Sequence, residues 1–484
     1  MGRVYLIGGG PGAPDLITLR AINVLKNCTA ILYDRLSGEE ILKYVNKDAK
    51  LFYCGKEPGC HYKTQEEINE TLVNLAKEGH TVGRIKGGDP YIFGRGGEEA
   101  LELLKENIEF EVVPGITSPI SALNYGGIPV THRKIAQSFH VFTGKSAAGL
   151  NLDFDTIAKL TGTLIFMMSY EQLGAITEGL IRAGLNETTP VAVVMNGTTA
   201  KQKKAIGTLK DITVIAKERN ISNPAIIVVG QVVQFNNQLN WFEKLPLFGR
   251  NICITRSKAQ SKELYNKLRE LGATVTEINS IDIKATPENI ISVENKLHEY
   301  KYILLTSVNG VNMLFNALHH NKIDIRKISG DFISIGDATT KALEERGIIP
   351  ILTADEFTGE GLFKVVKPLV SNEDKILLPR SRKGRLYLVD ELRKLGAAVD
   401  DVAVYDTIIG ENHNVNSFEN CDTVIFTSPT TVENMIALVG IDEIKKKLIT
   451  SIGPITSKVL ASKGFIYTEC SKPGIDGIIK NLIG

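Results

Sequence analysis

Residues suited to holding a small ligand follow four short apolar segments in the first 120 residues of the chain. They are GGGPGAP at 8–14, Asp34 at the end of ILYD, GGDP at 87–90 and PGITS at 114–118. Glycine allows the backbone to approach a ligand closely. If the apolar segments are parallel strands, their carboxyl ends meet at one edge of a sheet. The pattern therefore predicts a cleft lined largely by backbone.

The first of these loops resembles a dinucleotide fingerprint, since Gly8, Gly10 and Ala13 have its spacing. Such a loop binds pyrophosphate through backbone N–H groups at a helix N-terminus. Pro11 has no N–H, and the helix can begin only at or after Pro14. The loop therefore suits a neutral or cationic ligand better than a diphosphate. A tight turn without any ligand is the alternative.

The elements that must position these loops alternate between short strands and helices up to about residue 240, which indicates an α/β fold. The predicted strands are 4–8, 30–33, 81–85, 111–113, 139–143, 163–168, 190–195 and 225–229. The predicted helices include 66–77, 97–105 and 170–183. A polar and then aromatic segment ending in Pro246 and Gly249 places a domain boundary at 243–250.

The chain after this boundary repeats itself. Arg256 in ITR corresponds to Arg380 in LPR, Thr306 in LLTS to Thr427 in IFTS, and Gly336 in SIGDATT to Gly453 in SIGPITS. Three strand–loop–helix units recur in the same order. The repeat predicts two similar α/β lobes of about 120 residues each, with a ligand between them at the carboxyl ends of the strands. The two predicted domains are therefore 1–245 and 250–484.

The composition excludes several classes of protein. The 484 residues are 43% apolar and 23% charged, with a formal net charge of +1, so nucleic acid is not expected as a partner. No apolar segment approaches the length of a membrane span, and no signal peptide is predicted. The six cysteines form no C-x-x-C motif, so no metal is expected and a reducing cytoplasm is the predicted location.

Seven motifs in the first 242 residues identify a resemblance to uroporphyrinogen-III C-methyltransferases, which are tetrapyrrole methylases. They are VYLIGGGPGAPDLITLRA, ILYDRL, GKEPGCHYKTQEEIN, RIKGGDPYIFGRGGEE, VVPGITS, GIPVTHR and NPAIIVVGQVV followed by LNWF. The chain from about 250 resembles uroporphyrinogen-III synthases through ITR, LTSVNGV, SIGDATTKAL, LLPR, VAVYDT, FTSPTTV and SIGPIT. The resemblance implies a two-domain methylase fold followed by a bilobed synthase fold.

The resemblance also implies that the proline loop borders the sulfonium end of S-adenosylmethionine, and it names the residues that contact this methyl donor. Carried over by motif, they are Pro11, Gly87, Gly88, Asp89, Ile92, Thr117, Ser118, Met168, Gly197 and Ala225. Pro119 stands where the family has a small residue and removes a backbone donor next to Ser118. Close strand packing is the alternative explanation for Gly197 and Ala225.

Two residues match the proposed acid–base pair of the methylase family. Asp34 matches the proton acceptor and Lys56 the proton donor. A capping Asp and a surface Lys that binds substrate carboxylates are the alternatives. The candidate clamps for the eight carboxylates of uroporphyrinogen are Arg35, Arg95, His132 and Arg133.

In the second half, the resemblance implies that Tyr405 and Thr456 assist ring closure of hydroxymethylbilane, and that Tyr405 aids departure of hydroxide. The alternative to this catalytic role is that Tyr405 is only an aromatic residue of an edge strand. Arg256, Ser307, Gly336 and Ser428 would line the cleft. Hydroxymethylbilane cyclises unaided to the wrong isomer, so confinement in a cleft achieves much of the selectivity.

The resemblance as a whole predicts a bifunctional enzyme. The synthase half makes uroporphyrinogen III, and the methylase half methylates it twice with S-adenosylmethionine to give precorrin-2. Alternatives are a different corrin-ring methylase, a ribosomal RNA methylase, or a second half that only binds tetrapyrroles. The family further implies a homodimer formed through the methylase half.

Overall fold

The structure is a computed structural model that describes residues 2–34, 39–55, 64–144, 151–255, 258–356, 358–410 and 415–484. It contains four separate sheets, two in each half of the chain. In the part of the chain that is described, no helix is long and apolar enough to cross a membrane.

The first sheet is parallel, with strand order β3-β2-β4-β1-β5. Its elements are β1 (Arg3–Gly8), α1 (Leu19–Leu25), β2 (Ala30–Tyr33), β3 (Lys50–Tyr53), α2 (Gln65–Lys77), β4 (Thr81–Lys86), α3 (Gly96–Lys105), β5 (Phe110–Val113) and α4 (Ser118–Tyr125). Successive strand residues point to opposite faces, so Leu6 joins one buried apolar cluster and Ile7 the other. The carboxyl ends of β1, β2, β4 and β5 lie at one edge, which brings the four predicted loops together.

The second sheet has the order β6-β7-β10-β8-β9, and only its β6–β7 pair is parallel. Its elements are β6 (Phe139–Thr143), α5 (Phe154–Ile157), β7 (Thr163–Met167), α6 (Leu173–Arg182), β8 (Pro190–Met195), β9 (Lys203–Thr208), α7 (Ile212–Glu218), β10 (Ala225–Val229) and α8 (Asn236–Leu239). All eight strands predicted for this half are present. Strands β3 and β9 were missed, because β3 has only four residues and β9 has few apolar residues and begins with two lysines.

The segment that joins the two halves packs against both of them. The Phe242 ring lies 4.7 Å from that of Tyr125 in the first half and 5.2 Å from that of Phe248. Leu247 is fully buried in an apolar cluster of the second half. The joining segment is therefore an ordered connection rather than a flexible tether.

The second half folds into two lobes. Its strands are β11 (Asn251–Ile254), β12 (Thr274–Glu277), β13 (Asp282–Ala285), β14 (Tyr302–Leu305), β15 (Asp331–Ile335), β16 (Leu352–Ala354), β17 (Lys375–Ser381), β18 (Ala398–Ile408), β19 (Thr423–Phe426), β20 (Leu448–Ser451) and β21 (Thr468–Glu469). Its helices are α9 (Lys258–Glu270), α10 (Val308–His320), α11 (Gly336–Glu344), α12 (Gly359–Val366), α13 (Tyr387–Lys394), α14 (Pro429–Val439), α15 (Ile441–Lys445), α16 (Pro454–Ser462) and α17 (Ile475–Ile483).

The lobes are similar, as the repeat predicts, but neither lobe is one continuous repeat. The outer lobe, which contains both ends of this half, has the order β12-β11-β19-β20-β21. The inserted lobe has the order β13-β18-β17-β14-β15-β16. Each lobe thus takes two strands from one repeat and three from the other, and β13 is an added antiparallel edge strand. The chain passes between the lobes after β12 and again after β18, and Gly410 lies against Asn279.

Candidate active sites

The glycine–proline loop after β1 has the conformation expected of a loop that does not bind pyrophosphate. Gly10 and Gly12 have positive φ, at 79° and 131°. A short 3₁₀ turn covers Pro14–Leu16, and α1 begins only at Leu19, capped by the Thr18 hydroxyl. The prediction that the helix begins at or after Pro14 is confirmed. The turn at Pro14–Leu16 therefore separates the N-terminus of α1 from Gly10 and Gly12.

Three of the predicted loops are packed backbone against backbone. Gly10 and Gly88 form a reciprocal pair of hydrogen bonds, 3.2 Å from Gly10 N to Gly88 O and 2.7 Å from Gly88 N to Gly10 O. A Cβ at Gly115 would overlap the Gly88 carbonyl oxygen, and a Cβ at Gly8 would overlap the backbone nitrogen of Gly115. These positions therefore require glycine. Thr117 lies beside Gly88 in the same group.

Asp89 holds this group of loops together. One of its carboxylate oxygens accepts a hydrogen bond from Gly115 N at 3.1 Å, and the other accepts one from Tyr91 N at 2.9 Å. The carboxylate therefore fixes the distance between the GGDP and PGITS loops. Its negative charge remains beside the cleft.

Asp34 follows β2 at the same edge and faces a buried set of charges. Arg84 and Lys86 on β4 are almost completely buried, and so is Glu99 on α3. Lys86 Nζ lies 2.6 Å and Arg84 Nε 3.3 Å from the same oxygen of Glu99, while Arg84 Nη1 lies 3.7 Å from Asp34 Oδ2. Burial and the nearby Arg84 charge lower the pKa of Lys86. The guanidinium thus presents a fixed positive charge to Asp34, whose side chain is 28% exposed.

The loop after β8, which belongs to the second sheet, packs against the proline loop. Ala13 N, in the proline loop, donates to Thr198 Oγ1 at 3.2 Å, and both residues are buried. A Cβ at Gly197 would lie 2.8 Å from Ala122 Cα in α4, so packing alone accounts for this glycine. Ala225 is buried on β10 opposite Met195.

The remaining donor and substrate candidates have distinct surroundings. Met168 is 47% exposed and has a positive φ of 53° directly after β7. Ser118 and Pro119 begin α4, and Ile92 is exposed.

Among the candidate carboxylate clamps, Arg95 is exposed and pairs with Glu98 at 2.6 Å. The His132 ring stacks on Phe235 at 4.9 Å, and Arg133 is exposed. Arg35 and Lys56 lie outside the described residues.

In the second half, the inserted lobe brings Tyr405 next to Ser307. The phenol oxygen of Tyr405 lies 3.4 Å from Ser307 Oγ, and burial raises the pKa of the tyrosine. Tyr405 is therefore a neutral hydroxyl at physiological pH, able to donate a proton or a hydrogen bond. Ser307 also caps α10 by accepting from Gly310 N at 3.0 Å.

The other synthase candidates also lie at the carboxyl ends of strands. Ser428 caps α14 in the outer lobe as Ser307 caps α10, and accepts from Thr431 N at 3.3 Å. Gly336 begins α11 directly after β15 with a φ of 68°. Thr456 is 2% exposed in α16, so its hydroxyl is inaccessible in this arrangement. Arg256 lies outside the described residues.

Comparison with known proteins decides the family. A family profile described as Tetrapyrrole (Corrin/Porphyrin) Methylases matches residues 3–213, and one described as Uroporphyrinogen-III synthase HemD matches residues 262–480. The chain is 38% identical to the porphyrin biosynthesis protein HemD of Ruminiclostridium josui, over 100% of this chain and 98% of the relative. The chain belongs to the fused tetrapyrrole methylase and uroporphyrinogen-III synthase family.

Two further relatives are named as methyltransferases. A uroporphyrinogen-III C-methyltransferase of Bacillus subtilis is 40% identical over 72% of this chain and 72% of the relative. An S-adenosyl-L-methionine-dependent uroporphyrinogen III methyltransferase of Methanosarcina barkeri is 48% identical over 49% of this chain and 94% of the relative. The resemblance of each half that the motifs indicated is therefore confirmed. We refer below to residues 2–245 as the methylase half and 250–484 as the synthase half.

Sequence reasoning missed the buried charges behind Asp34. Their signal was present in GRIKGGDP, where two cations stand in an otherwise apolar strand, and in GGEE, which supplies the buried carboxylate. A buried charge requires a partner, so these residues predict one another. The Thr198 hydroxyl, which joins the two sheets of the methylase half, had no comparable signal in the sequence.

Proposed function

We propose that this chain cyclises hydroxymethylbilane to uroporphyrinogen III and then methylates that product twice with S-adenosylmethionine to give precorrin-2. The observation that carries the methylase assignment is the charge of the cleft. The loops at 8–14, 87–93, 114–118 and 196–200 contain one carboxylate, Asp89, and no lysine or arginine. This set suits a sulfonium cation and not a diphosphate.

In the methyl-transfer step, an electron-rich pyrrole carbon attacks the sulfonium methyl group, and the carbon–sulfur bond breaks as the carbon–carbon bond forms. The donor loops contribute by holding the methyl group in line with the attacking carbon. We assign donor contacts to Pro11, Gly87, Gly88, Thr117 and Ser118 in the first sheet. Ile92, Met168, Gly197 and Ala225 complete the proposed set, and Asp89 acts by fixing the loops.

The methylated ring carbon becomes quaternary, so a proton must leave another position of the macrocycle. We assign its removal to Asp34, because its carboxylate stands at the cleft edge and is positioned by Arg84. Lys56 is the proposed proton donor, and Arg35, Arg95, His132 and Arg133 are the proposed contacts to substrate carboxylates.

In the synthase half, the substrate loses its hydroxyl group as water, and the ring closes with inversion of the last pyrrole. The Tyr405 hydroxyl is proposed to assist this departure, with Ser307 beside it and Arg256, Gly336 and Ser428 lining the cleft. Thr456 is proposed as a second assisting residue, which requires a movement of α16 that exposes its hydroxyl.

The test of the two activities together is incubation of the full chain with hydroxymethylbilane, followed by oxidation and separation of the uroporphyrin isomers. The III isomer is the expected product, and adding S-adenosylmethionine should convert it to the dimethylated product. Formation of the I isomer alone would reduce the second half to a tetrapyrrole-binding module.

The residues 1–245 are expected to fold alone and to bind S-adenosylmethionine. All the methylase motifs precede Phe248, and Phe242 packs on Tyr125 within this fragment. Calorimetric titration of the purified fragment measures the binding. A folded fragment that binds no donor would contradict the boundary or the donor assignment, and the fragment 250–484 is the control that should not bind.

The full chain is expected to be a homodimer held by the methylase half. Five apolar side chains between residues 91 and 104 are exposed, and clusters of this kind often mark an interface. They are Tyr91, Ile92, Phe93, Leu101 and Leu104. Light scattering at micromolar concentration measures the mass, and a monomer would refute the prediction. The double variant Leu101→Glu with Leu104→Glu should dissociate the dimer if α3 takes part.

A further inference from the structure

One turn of the synthase half contacts both loops that enclose the proposed donor site of the methylase half. The turn, defined here as residues 269–274, includes the last two residues of α9 and the first residue of β12. The loops are the proline loop at 8–14, together with the 3₁₀ turn that follows it, and the loop at 196–200 after β8. The three segments come from different sheets, so their meeting is a property of the assembled chain.

The first contact is an ion pair. Arg269 Nη2 lies 2.6 Å from Asp15 Oδ1, in the 3₁₀ turn that ends the proline loop. The Arg269 side chain is only 9% exposed, whereas that of Asp15 is 52% exposed. An ion pair with one buried partner is less screened by solvent than a pair on the open surface. It therefore restrains the proline loop at Asp15.

The second contact is a hydrogen bond to the other loop. Ala200 N donates to Thr274 Oγ1 at 3.0 Å, and Ala200 is buried. The two loops are joined to each other by the hydrogen bond from Ala13 N to Thr198 Oγ1. A continuous path of contacts therefore leaves the synthase turn at Arg269 and returns to it at Thr274. The path runs through Asp15, Ala13, Thr198 and Ala200.

Further contacts fix the position of the turn against the methylase half. Lys43 Nζ lies 3.0 Å from the Tyr265 hydroxyl and 3.8 Å from Glu277 Oε2. Lys201 Nζ lies 3.0 Å from Asn420 Oδ1. These polar contacts therefore hold the turn in a fixed position relative to the two loops.

We propose that Arg269 and Thr274 are positioning residues for methyl transfer, although they belong to the synthase half. They hold the two donor loops in the arrangement that binds S-adenosylmethionine. Without these two residues, only a fraction of the protein molecules would have the loops in the arrangement that binds the donor. The apparent affinity for the donor would fall by that fraction. The inference rests on the proposed function, since it takes these loops as the donor site.

The test compares Arg269→Ala, Arg269→Lys and Thr274→Val in the full chain. Arg269→Ala should raise the dissociation constant for S-adenosylmethionine, and its KM in methylation of supplied uroporphyrinogen III, by about 5- to 20-fold. The kcat at saturating donor and the synthase turnover should stay within about twofold of wild type. Arg269→Lys keeps the charge and should recover most of the affinity. Thr274→Val should weaken donor binding in the same direction.

Lys267→Ala is the matched control, because Lys267 lies on the same helix. Its ion-pair partners among the described residues belong to the synthase half, Asp476 at 2.9 Å and Glu263 at 3.5 Å. It should bind the donor like wild type. Hydrogen exchange without donor gives a readout independent of activity. The Ala13 and Ala200 amides should exchange faster in Arg269→Ala, and the amides of β14 should not.

Wild-type donor affinity in a folded Arg269→Ala and in Thr274→Val would overturn the inference and leave the proposed function intact. Equal losses of donor affinity in Lys267→Ala would also overturn it, since the effect would then be general destabilisation of α9. Failure of the wild-type chain to bind S-adenosylmethionine would instead overturn the proposed function, and this inference with it.

Discussion

Replacing Asp34 by asparagine is expected to lower methyl transfer by about 10²- to 10⁴-fold while leaving donor binding intact. Asparagine keeps the shape of the side chain and its place beside Arg84, but it cannot take a proton from the macrocycle. Donor affinity by calorimetry and turnover of supplied uroporphyrinogen III measure the two effects separately. The larger effect should be on kcat.

Asp155→Asn is a suitable control for this variant, because Asp155 is an exposed acid of the methylase half on α5 and is not among the proposed site residues. It should have wild-type kinetics. Wild-type turnover in Asp34→Asn would reduce Asp34 to a structural partner of Arg84. Loss of donor binding in that variant would show that the carboxylate acts on the donor loops rather than on the substrate.

Replacing Tyr405 by phenylalanine is expected to lower synthase turnover by about 10- to 10⁴-fold. The substitution removes only the hydroxyl, which lies next to Ser307, and leaves the ring to pack in the core of the inserted lobe. Because burial raises the pKa of Tyr405, the hydroxyl is protonated throughout the neutral range. Turnover in the wild type should therefore show no dependence on its ionisation below the ordinary tyrosine range. The I isomer should accumulate in the variant, since unassisted closure continues in solution.

Tyr302→Phe is the matched control, because Tyr302 is a buried tyrosine of the same sheet whose hydroxyl donates to the Leu369 carbonyl at 3.3 Å. It tests the effect of losing a buried hydroxyl without changing the cleft. Less than a tenfold fall in Tyr405→Phe would make Tyr405 a packing residue. Methylation of supplied uroporphyrinogen III should be unchanged in both variants, and a parallel fall would show that the two halves are coupled.

The sequence determined the chemistry of the methylase loops because each loop requires particular residues locally. Pro11 and Pro14 exclude a helix start among the glycines, and α1 begins after both of them. The glycines at 8, 88 and 115 are needed where three backbones touch. Short apolar segments placed the strands that carry these loops to within a residue of their observed bounds.

The sequence also determined that the second half is a duplication, but only the tertiary structure decided how its strands are shared. Each repeat contains the same strand–loop–helix units, so β11 could pair equally well with β14 of its own repeat or with β19 of the other repeat. Local sequence cannot distinguish these partners, because both pairings bury the same kind of apolar surface. In the structure β11 pairs with β19. This pairing depends on the whole chain, because the chain crosses to the inserted lobe and returns before β19 completes the sheet of the outer lobe. The contacts of Arg269 and Thr274 with the methylase loops depend on tertiary structure for the same reason, since they join residues 254 and 74 positions apart that no local pattern relates.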